Sequence, residues 1–161
     1  MKYIVIGLGN FGASLALKLA ESAHEVIGVD INEFLINKYK DQLTHTLQMD
    51  STNEMAVDQL PLKDTDAIII GIGENSGDAV TAVALFKKYA PDSRLIARCT
   101  SSIQKTIYEA MGIEEIINPE SEFASNFANR LTIAGNVNTM VLDEAYEIVE
   151  FKAPESFYGK T

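Results

Sequence analysis

The sequence predicts an α/β fold: a doubly wound, parallel, six-stranded sheet with helices on both faces, followed by a C-terminal extension. Short apolar segments alternate with helical patterns along residues 3–131, as expected for a parallel sheet. Strand candidates such as Ala67–Ile70 are entirely apolar, which is typical of strands covered on both faces. Three glycines in a G-x-G-x-x-G spacing directly follow the first strand candidate, at Gly7, Gly9 and Gly12.

The first three strand–helix pairs precede residue 61. They are predicted at residues 3–6 and 13–21, at 25–29 and 33–42, and at 44–48 and 54–60. The strand candidates are rich in β-branched and aromatic residues, and helix formers follow each of them. Asn32 is a suitable N-cap for the second helix. The polar turn MDSTNE separates the third strand from its helix.

The remaining three pairs contain two informative prolines. The pairs are predicted at residues 67–70 and 78–89, at 95–97 and 102–111, and at 115–117 and 120–131. Pro91 ends the fourth helix, because proline cannot continue a helix. Pro119 falls in the first turn of the sixth helix, where proline is tolerated. Phe123, Phe127 and Leu131 recur every four residues of that helix, and this apolar face belongs either to the core or to an interface.

The pattern changes after Gly135. A short apolar segment precedes a strand-like run at residues 146–151 and a polar end. The run has no obvious partner in a sheet that is already complete, and a lone strand is marginally stable in water. We therefore expect the chain to be cut off as a further element begins.

Charge and composition exclude several classes of protein. The formal net charge is −10, from 13 basic and 23 acidic residues, whereas nucleic-acid binding and docking on anionic lipid both require a basic surface. The single cysteine, Cys99, cannot form an internal disulfide or a metal cage, which favours a cytosolic setting. No signal peptide is visible, and the longest apolar runs are too short to span a bilayer. The sequence thus predicts a soluble, intracellular protein that contacts neither nucleic acid nor the lipid interior.

The glycine motif predicts a dinucleotide site because it closes a strand and opens a helix. Gly7 permits a tight turn, Gly9 lets the backbone approach a pyrophosphate, and Gly12 lets the helix pack close to the strand. The helix N-terminus offers N–H groups and partial positive charge to phosphates. Asp30 ends strand 2, 18 residues after Gly12. Its carboxylate would accept bonds from both ribose hydroxyls and repel a 2′-phosphate, which favours NAD or an adenosine nucleotide over NADP.

Purely structural interpretations of these residues remain open. The glycines would then form a tight turn that binds no ligand, and Asp30 would be an ordinary turn residue at the end of a strand. Further candidates lie where strands 3 to 5 end, because ligands bind at the carboxyl edge of doubly wound sheets. Asp50 and Ser51 either read a base edge or belong to a capped turn. Gly73, in GIGEN, either keeps the rim of the site open or lies in a plain loop. Arg98 binds phosphate or forms a surface ion pair.

Catalytic groups are not evident in the sequence. His24 precedes strand 2 and His45 lies in strand 3, so neither falls at the carboxyl end of a strand. Cys99 adjoins Arg98, which would lower its thiol pKa, but a packed, unreactive role is favoured. No nucleophile elbow or Walker lysine is present. A nucleotide site without acid–base chemistry predicts a sensor; the alternative is an NAD-dependent oxidoreductase, or the cofactor domain of one.

The ordered set YIVIGLGNFG, HEVIGVDIN, DSTNE, AIIIGIGEN, LIARCTS and IINPE resembles the N-terminal RCK (TrkA-N) domain of regulatory subunits of Trk/Ktr-type bacterial potassium uptake systems. The resemblance implies a Rossmann-like domain over residues 1–135. It further implies that residues 136–161 form a dimer or crossover segment and the start of a truncated C-terminal RCK domain.

In function, the resemblance implies a homodimer, or an octameric ring of the full-length chain, on the cytoplasmic face of a membrane potassium channel or transporter. Binding of NAD(H), ATP, ADP or AMP would change its shape and gate the ion pathway. An RCK-type sensor of another cation transporter, such as a cation/proton antiporter, is the related alternative.

The resemblance also implies which residues contact the nucleotide. They are Gly7, Gly9 and Gly12 for phosphate, Asp30 for ribose, Asp50 and Ser51 near adenine, Ile72 and Gly73 at the strand-4 rim, Arg98 after strand 5, and Glu120 near the terminal phosphate, where it would act with a cation. The flanking Asn10, Phe11, Ile31 and Glu74 complete the predicted set.

Asn10 departs from the Ktr pattern, which has arginine there. Loss of that charge-assisted contact, worth about 1.5–3 kcal/mol, should weaken discrimination of ATP from ADP or AMP.

Overall fold

The computed structural model describes residues 1–132, 137–141, 147–151 and 158–159. The chain divides into two compact units, Met1–Asn118 and Pro119–Thr161. The boundary that the sequence suggests at residue 135, and with it the division into residues 1–135 and 136–161, stays a prediction. Much of the predicted dimer or crossover segment and of the truncated domain lies outside the described residues.

The first unit alternates strands and helices as predicted. Its strands are β1 Lys2–Ile6, β2 Glu25–Asp30, β3 His45–Gln48, β4 Ala67–Ile70, β5 Arg94–Arg98 and β6 Glu115–Ile117, and its helices are α1 Asn10–Glu21, α2 Glu33–Tyr39, α3 Glu54–Asp58, α4 Ser76–Tyr89 and α5 Ser102–Ala110. The strands form one parallel sheet in the order β3-β2-β1-β4-β5-β6. The strand order reverses between β1 and β4, so their carboxyl ends border the crevice where such sheets bind ligands.

Side chains of successive strand residues enter two different cores, which confirms helices on both faces. In β1, Ile4 and Ile6 pack with residues of α3, α4 and α5, such as Val57, Phe86 and Tyr108. Val5 points to the opposite face and packs with residues of α1 and α2. Since strand side chains alternate between faces, a parallel sheet buried on both sides needs the apolar runs that the sequence shows.

Several element ends differ from the prediction for local reasons. Helix α1 begins at Asn10, three residues before the predicted start, because Gly9 has extended backbone angles and acts as the N-cap. Helix α2 ends at Tyr39 rather than residue 42, and the chain then turns so that Leu43 is buried. Strands β2 and β5 each extend one residue further, so that Asp30 and Arg98 are the last residues of their strands.

The second unit contains helix α6 Pro119–Thr132 and strands β7 Val137–Val141 and β8 Glu147–Phe151. The two strands pair antiparallel, with Val137 opposite Phe151 and Val141 opposite Glu147. The expectation that residues 146–151 lack a partner is therefore wrong: β7 is the partner of β8, and Tyr146 lies outside the described residues. The mixed polarity of VNTMV gives no period-two pattern that would have marked this strand.

Candidate functional site

The three glycines of the motif form a tight strand-to-helix turn. Gly7 has φ +89° and donates its N–H to Val29 O at 2.8 Å. A Cβ on Gly7 would lie 3.1 Å from the backbone nitrogen of Ile72. A Cβ on Gly12 would lie only 1.9 Å from Gly7 O, so the first turn of α1 packs directly on the preceding turn. Gly7 and Gly12 thus have the conformational and packing roles that the sequence predicts.

The N-terminus of α1 differs from that of the other helices in the first unit. In each of helices α2 to α5, the side chain of the N-cap residue accepts a hydrogen bond from a backbone N–H group of the first turn. These N-cap residues are Asn32, Asn53, Asn75 and Ser101. Gly9 offers no side-chain cap to α1, and no heavy atom lies within 4 Å of the place where its Cβ would be. The first N–H groups of a helix need a partner and attract anions, and no N-cap side chain supplies that partner at α1.

Asp30 ties the glycine turn to the end of β2. Its Oδ2 accepts the Leu8 N–H at 2.6 Å, and its Oδ1 accepts the Asn32 N–H at 2.8 Å. An ionised carboxylate has about four acceptor positions, so these bonds leave capacity for ribose hydroxyls. The carboxylate therefore organises the turn, which the sequence analysis did not foresee, and it remains available for the predicted contact.

Asp50 and Ser51, at the end of β3, belong to a local turn. Asp50 Oδ1 accepts the backbone N–H of Thr52 at 2.9 Å and its hydroxyl at 2.6 Å, and these bonds, the hydroxyl's first, lower the pKa of Asp50. Ser51 is buried. The turn precedes α3, which Asn53 caps. The capped-turn interpretation thus accounts for the observed bonds, and recognition of a base edge stays a prediction.

The ribose-side residue Ile31 follows Asp30 and is exposed. Its carbonyl oxygen accepts a bond from Gln48 Nε2 at 3.2 Å, which joins the ends of β2 and β3. On the opposite side of the glycine turn, Ile72 contacts the Gly7 position, whereas Glu74 is exposed. The predicted adenine side and phosphate side therefore lie on successive strands of the same sheet edge.

The rim after β4 is occupied by Arg98. A Cβ on Gly73 would lie 2.3 Å from Arg98 Nη1 and 2.7 Å from Arg98 Cζ. Arg98 Nη1 donates to Gly71 O at 3.3 Å, and its Cζ lies 5.5 Å from the centroid of the Phe11 ring. Gly73 therefore makes room for the guanidinium, a role that the sequence analysis did not foresee, and the expectation that it keeps the rim open to a ligand stays a prediction.

The structure connects half of the predicted residues through direct contacts around the glycine turn: Gly7, Phe11, Gly12, Asp30, Ile72, Gly73 and Arg98. Asn10 is exposed in the first turn of α1. Asp50 and Ser51 lie at the neighbouring β3 end. Glu120 lies in α6, in the second unit, and its place at the terminal phosphate stays a prediction.

Two supporting residues were missed in the sequence analysis. The Leu8 N–H holds the Asp30 carboxylate, and the Leu8 side chain is fully buried. Gly28, inside β2, makes room for it: a Cβ there would lie 3.1 Å from Leu8 Cδ1 and 2.7 Å from Leu43 Cδ1. A glycine within a strand is a known sign of close approach, so VIGVD carried this signal.

The two histidines lie away from this edge, whereas Cys99 directly follows Arg98 at the end of β5. His24 precedes β2 and packs edge-on against Tyr3, and His45 begins β3, so both lie toward the amino ends of strands. Cys99 is 2% exposed, in the core with Tyr108. In the described ranges, no group of three or more His, Cys, Asp or Glu side chains could hold a metal ion. None of the helices there is long and apolar enough to cross a membrane.

Comparison with protein families finds a match between residues 3–119 and the TrkA-N domain. Two similar relatives are from Bacillus subtilis. Ktr system potassium uptake protein A is 30% identical over 160 residues, and Ktr system potassium uptake protein C is 28% identical over 160 residues. In each case the alignment covers 99% of this chain and 72% of the relative.

Solved structures share the fold at lower identity. The TrkA-N domain of the inner membrane protein YbaL from Escherichia coli has a TM-score of 0.72 and 20% identity, over 81% of this chain and 96% of that chain. The AMP-bound Kef CTD from Shewanella denitrificans has a TM-score of 0.69 and 17% identity, over 83% and 84%. The GsuK channel bound to NAD has a TM-score of 0.70 and 14% identity, over 92% and 27%.

Proposed function

We propose that this chain, which belongs to the TrkA-N domain family, is the nucleotide-binding part of a non-catalytic regulatory subunit that gates a membrane potassium channel or transporter. The observation that carries the proposal is the open, uncapped N-terminus of α1 above a glycine turn that Asp30 holds in place. Backbone N–H groups in this arrangement suit a phosphate, and the adjacent carboxylate suits a ribose.

The proposed ligand is an adenine nucleotide: NAD(H), ATP, ADP or AMP. Fold neighbours of this chain include one bound to AMP and one bound to NAD, which supports the class. Asp30 disfavours NADP, because a carboxylate repels a 2′-phosphate. Asn10 is neutral, so the chain lacks the charge that the Ktr pattern places there to reach a third phosphate. NAD(H), ADP and AMP are therefore credible ligands beside ATP.

The regulatory role is supported by the relatives, two of which are potassium uptake proteins. Both histidines lie toward the amino ends of strands, at the edge opposite the proposed nucleotide site. We propose a homodimer, or a ring of such dimers, docked through its membrane partner on the cytoplasmic face. In that arrangement residues 1–135 form the sensor domain and residues 136–161 the link to a further domain.

The proposed mechanism is differential binding. A nucleotide that binds one dimer geometry more tightly than another shifts the population toward that geometry, and only this difference in affinity can move the equilibrium. Helix α6 and the segment after it would carry the change to the membrane partner. Glu120, at the beginning of α6, is the proposed point at which the terminal phosphate or its cation is recognised.

Thermal unfolding of the chain with AMP, ADP, ATP, NAD+, NADH and NADP+ tests the nucleotide proposal. A ligand at a concentration 100 times its Kd stabilises the folded state by about 2.7 kcal/mol, so at least one adenine nucleotide should raise the Tm clearly, and NADP+ should raise it least. No shift with any of these ligands would overturn the proposal.

Gating needs the full-length protein together with its potassium-translocating membrane subunit in vesicles. Nucleotides that raise the Tm should change potassium flux. Two nucleotides that bind with equal affinity but stabilise different dimer geometries should change the flux by different amounts. Flux that ignores every bound nucleotide would contradict the gating role. Turnover of NADH with a substrate would instead support the oxidoreductase alternative.

A further inference from the structure

The Arg98 side chain is held by groups from two different elements. Its guanidinium carbon lies 5.5 Å from the Phe11 ring centroid, within the range of a cation–π interaction. Its Nη1 donates to Gly71 O at 3.3 Å. Gly73 leaves the space that the guanidinium fills, since a Cβ there would lie 2.3 Å from Nη1.

These contacts place the guanidinium beside the glycine turn. Phe11 lies in the first turn of α1, directly after Asn10. Gly71, which accepts the Arg98 bond, packs on the same turn, because its Cβ position is 3.4 Å from Gly7 O. The cation is thus fixed among the residues that surround the open end of α1, where the proposed phosphates bind.

We infer that Phe11 and Gly73 are positioning residues that hold the Arg98 guanidinium for the phosphate chain of the nucleotide. They would therefore determine how strongly the site prefers a nucleotide with phosphates over the nucleoside. This inference rests on the proposed function. It adds to the proposed cation, Arg98, the two residues that fix the position of its guanidinium.

The chemistry of arginine supports this division of roles. A guanidinium stacked on an aromatic ring keeps N–H donors at its edge, and these can bind phosphate oxygens as a pair. A flexible arginine would first lose side-chain entropy on binding, whereas Phe11 and the Gly71 carbonyl already restrict Arg98. With neutral Asn10 in the turn, that prior restriction would add to the phosphate preference that the N–H groups of α1 provide.

The test is calorimetry of ADP and of adenosine with the 161-residue chain and with F11L, F11Y, G73A, R98Q and the double variant F11L/R98Q. The quantity compared is the ratio of the two affinities. R98Q should lower the ratio about tenfold or more. F11L should lower it about threefold to tenfold, whereas F11Y, which keeps a ring, should stay within about twofold of the unaltered chain. G73A should act like R98Q, because its methyl group displaces the guanidinium.

Adding F11L to R98Q should lower the ratio no further, since both changes remove the same interaction. The matched control is Y3L, at another half-buried aromatic of the same core cluster but at the opposite end of β1; it should leave the ratio unchanged. If F11L does not fold, as judged by circular dichroism, G73A and F11Y decide the question.

Two results would overturn the inference while leaving the proposed function intact. In one, R98Q lowers the ratio but F11L and G73A do not. In the other, F11L and G73A weaken ADP and adenosine equally. If the unaltered chain binds neither ADP nor adenosine, nor the other adenine nucleotides, the proposed function fails and the inference fails with it.

Discussion

Gly9 and Gly12 lie three residues apart at the start of α1, yet a methyl group should have opposite consequences at the two positions. Gly9 has φ −65° and open space around its Cβ position, whereas a Cβ on Gly12 would meet Gly7 O at 1.9 Å. We expect G12A to lower the free energy of unfolding by about 1–3 kcal/mol, because a backbone carbonyl must move. G9A should leave stability within about 0.5 kcal/mol.

G9A should nevertheless weaken nucleotide binding, because its methyl group stands where a phosphate would approach the backbone. Urea denaturation and calorimetry with ADP measure the two effects separately. Unchanged ADP affinity in G9A would count against the phosphate site at this turn, and unchanged stability in G12A would contradict the packing described for α1.

Asp30 serves both the turn and the proposed ribose contact, so its charge should matter twice. In D30N one side-chain oxygen becomes an NH2 group, so only one of the Leu8 and Asn32 N–H groups keeps its acceptor. We expect a loss of about 1–3 kcal/mol in stability and a larger Tm shift with NADP+ relative to NAD+. D41N, at an exposed turn after α2, removes the same charge and should do neither. An unaltered NADP+ response in D30N would argue against the ribose contact.

The residue types at the site could be predicted from spacing, but their mutual contacts could not. Gly7, Gly12 and Asp30 occupy a known fingerprint, so their roles follow from position along the chain. Phe11, Gly73 and Arg98 are separated by more than 60 and by 25 residues. Their contact depends on strand order and on side-chain rotamers, which no local pattern reports.

At the scale of elements, the short edge strand β6 is joined to β5 by a bidentate ion pair. Arg94 Nε and Nη2 donate to the two carboxylate oxygens of Glu115 at 2.5 and 2.6 Å. These bonds lower the pKa of Glu115, and its partial burial opposes them only in part. A carboxyl with a lowered pKa in the folded state stabilises the protein above its unfolded pKa and loses that effect as the pH falls through the folded value.

E115Q should therefore be less stable than the unaltered chain at pH 7, and the difference should shrink as the pH falls below the ordinary glutamate pKa of about 4.3 and through the lower folded-state pKa of Glu115. Because both side chains are largely exposed, the difference at pH 7 should be small. Urea denaturation from pH 7 to pH 3 measures it. E114Q, at the exposed neighbouring carboxylate, is the control. A difference that persists at pH 3 would assign the effect to packing rather than to charge.

Strand and helix identities could be predicted throughout the first unit because apolar periodicity marks each of them. The ends of these elements could be predicted less well, because a glycine is suited both to a loop and to an N-cap. Helix α1 begins at Asn10 because Gly9 adopts the backbone geometry of an N-cap. The β7–β8 pairing was missed for a different reason. Five residues of mixed polarity, VNTMV, become a strand only through their partner, and pairing is not a local property of sequence.

At the scale of the whole molecule, the apolar stripe on α6 is the main feature that suggests association. Phe123, Phe127 and Leu131 are 66%, 43% and 71% exposed, and the two rings stack with centroids 5.8 Å apart. This exposure favours the interface interpretation over the core one, and the dimer or crossover role of residues 136–161 stays a prediction. Exposed apolar residues in a row are typical of surfaces that bind another chain.

We expect the double variant F123S/F127S to shift the chain from dimer to monomer in light scattering, with little change in the unfolding of the first unit. M55S, at an exposed apolar residue of α3, should leave the dimer intact. A monomer at high concentration in the unaltered chain would contradict the interface, as would a dimer that survives both serines.

The missing side-chain cap on α1 has a consequence for the proposed nucleotide site. Helices α2 to α5 have N-cap side chains of their own, so a bound phosphate would cap α1, which begins at Asn10, in the way that Asn53 or Asn75 caps another helix. Phosphate binding and fraying of the first turn of α1 would then be coupled. Amide hydrogen exchange in that turn should be slower when the ligand is bound. Release of the nucleotide would first increase fraying at the start of α1, and this change would precede any movement of a domain.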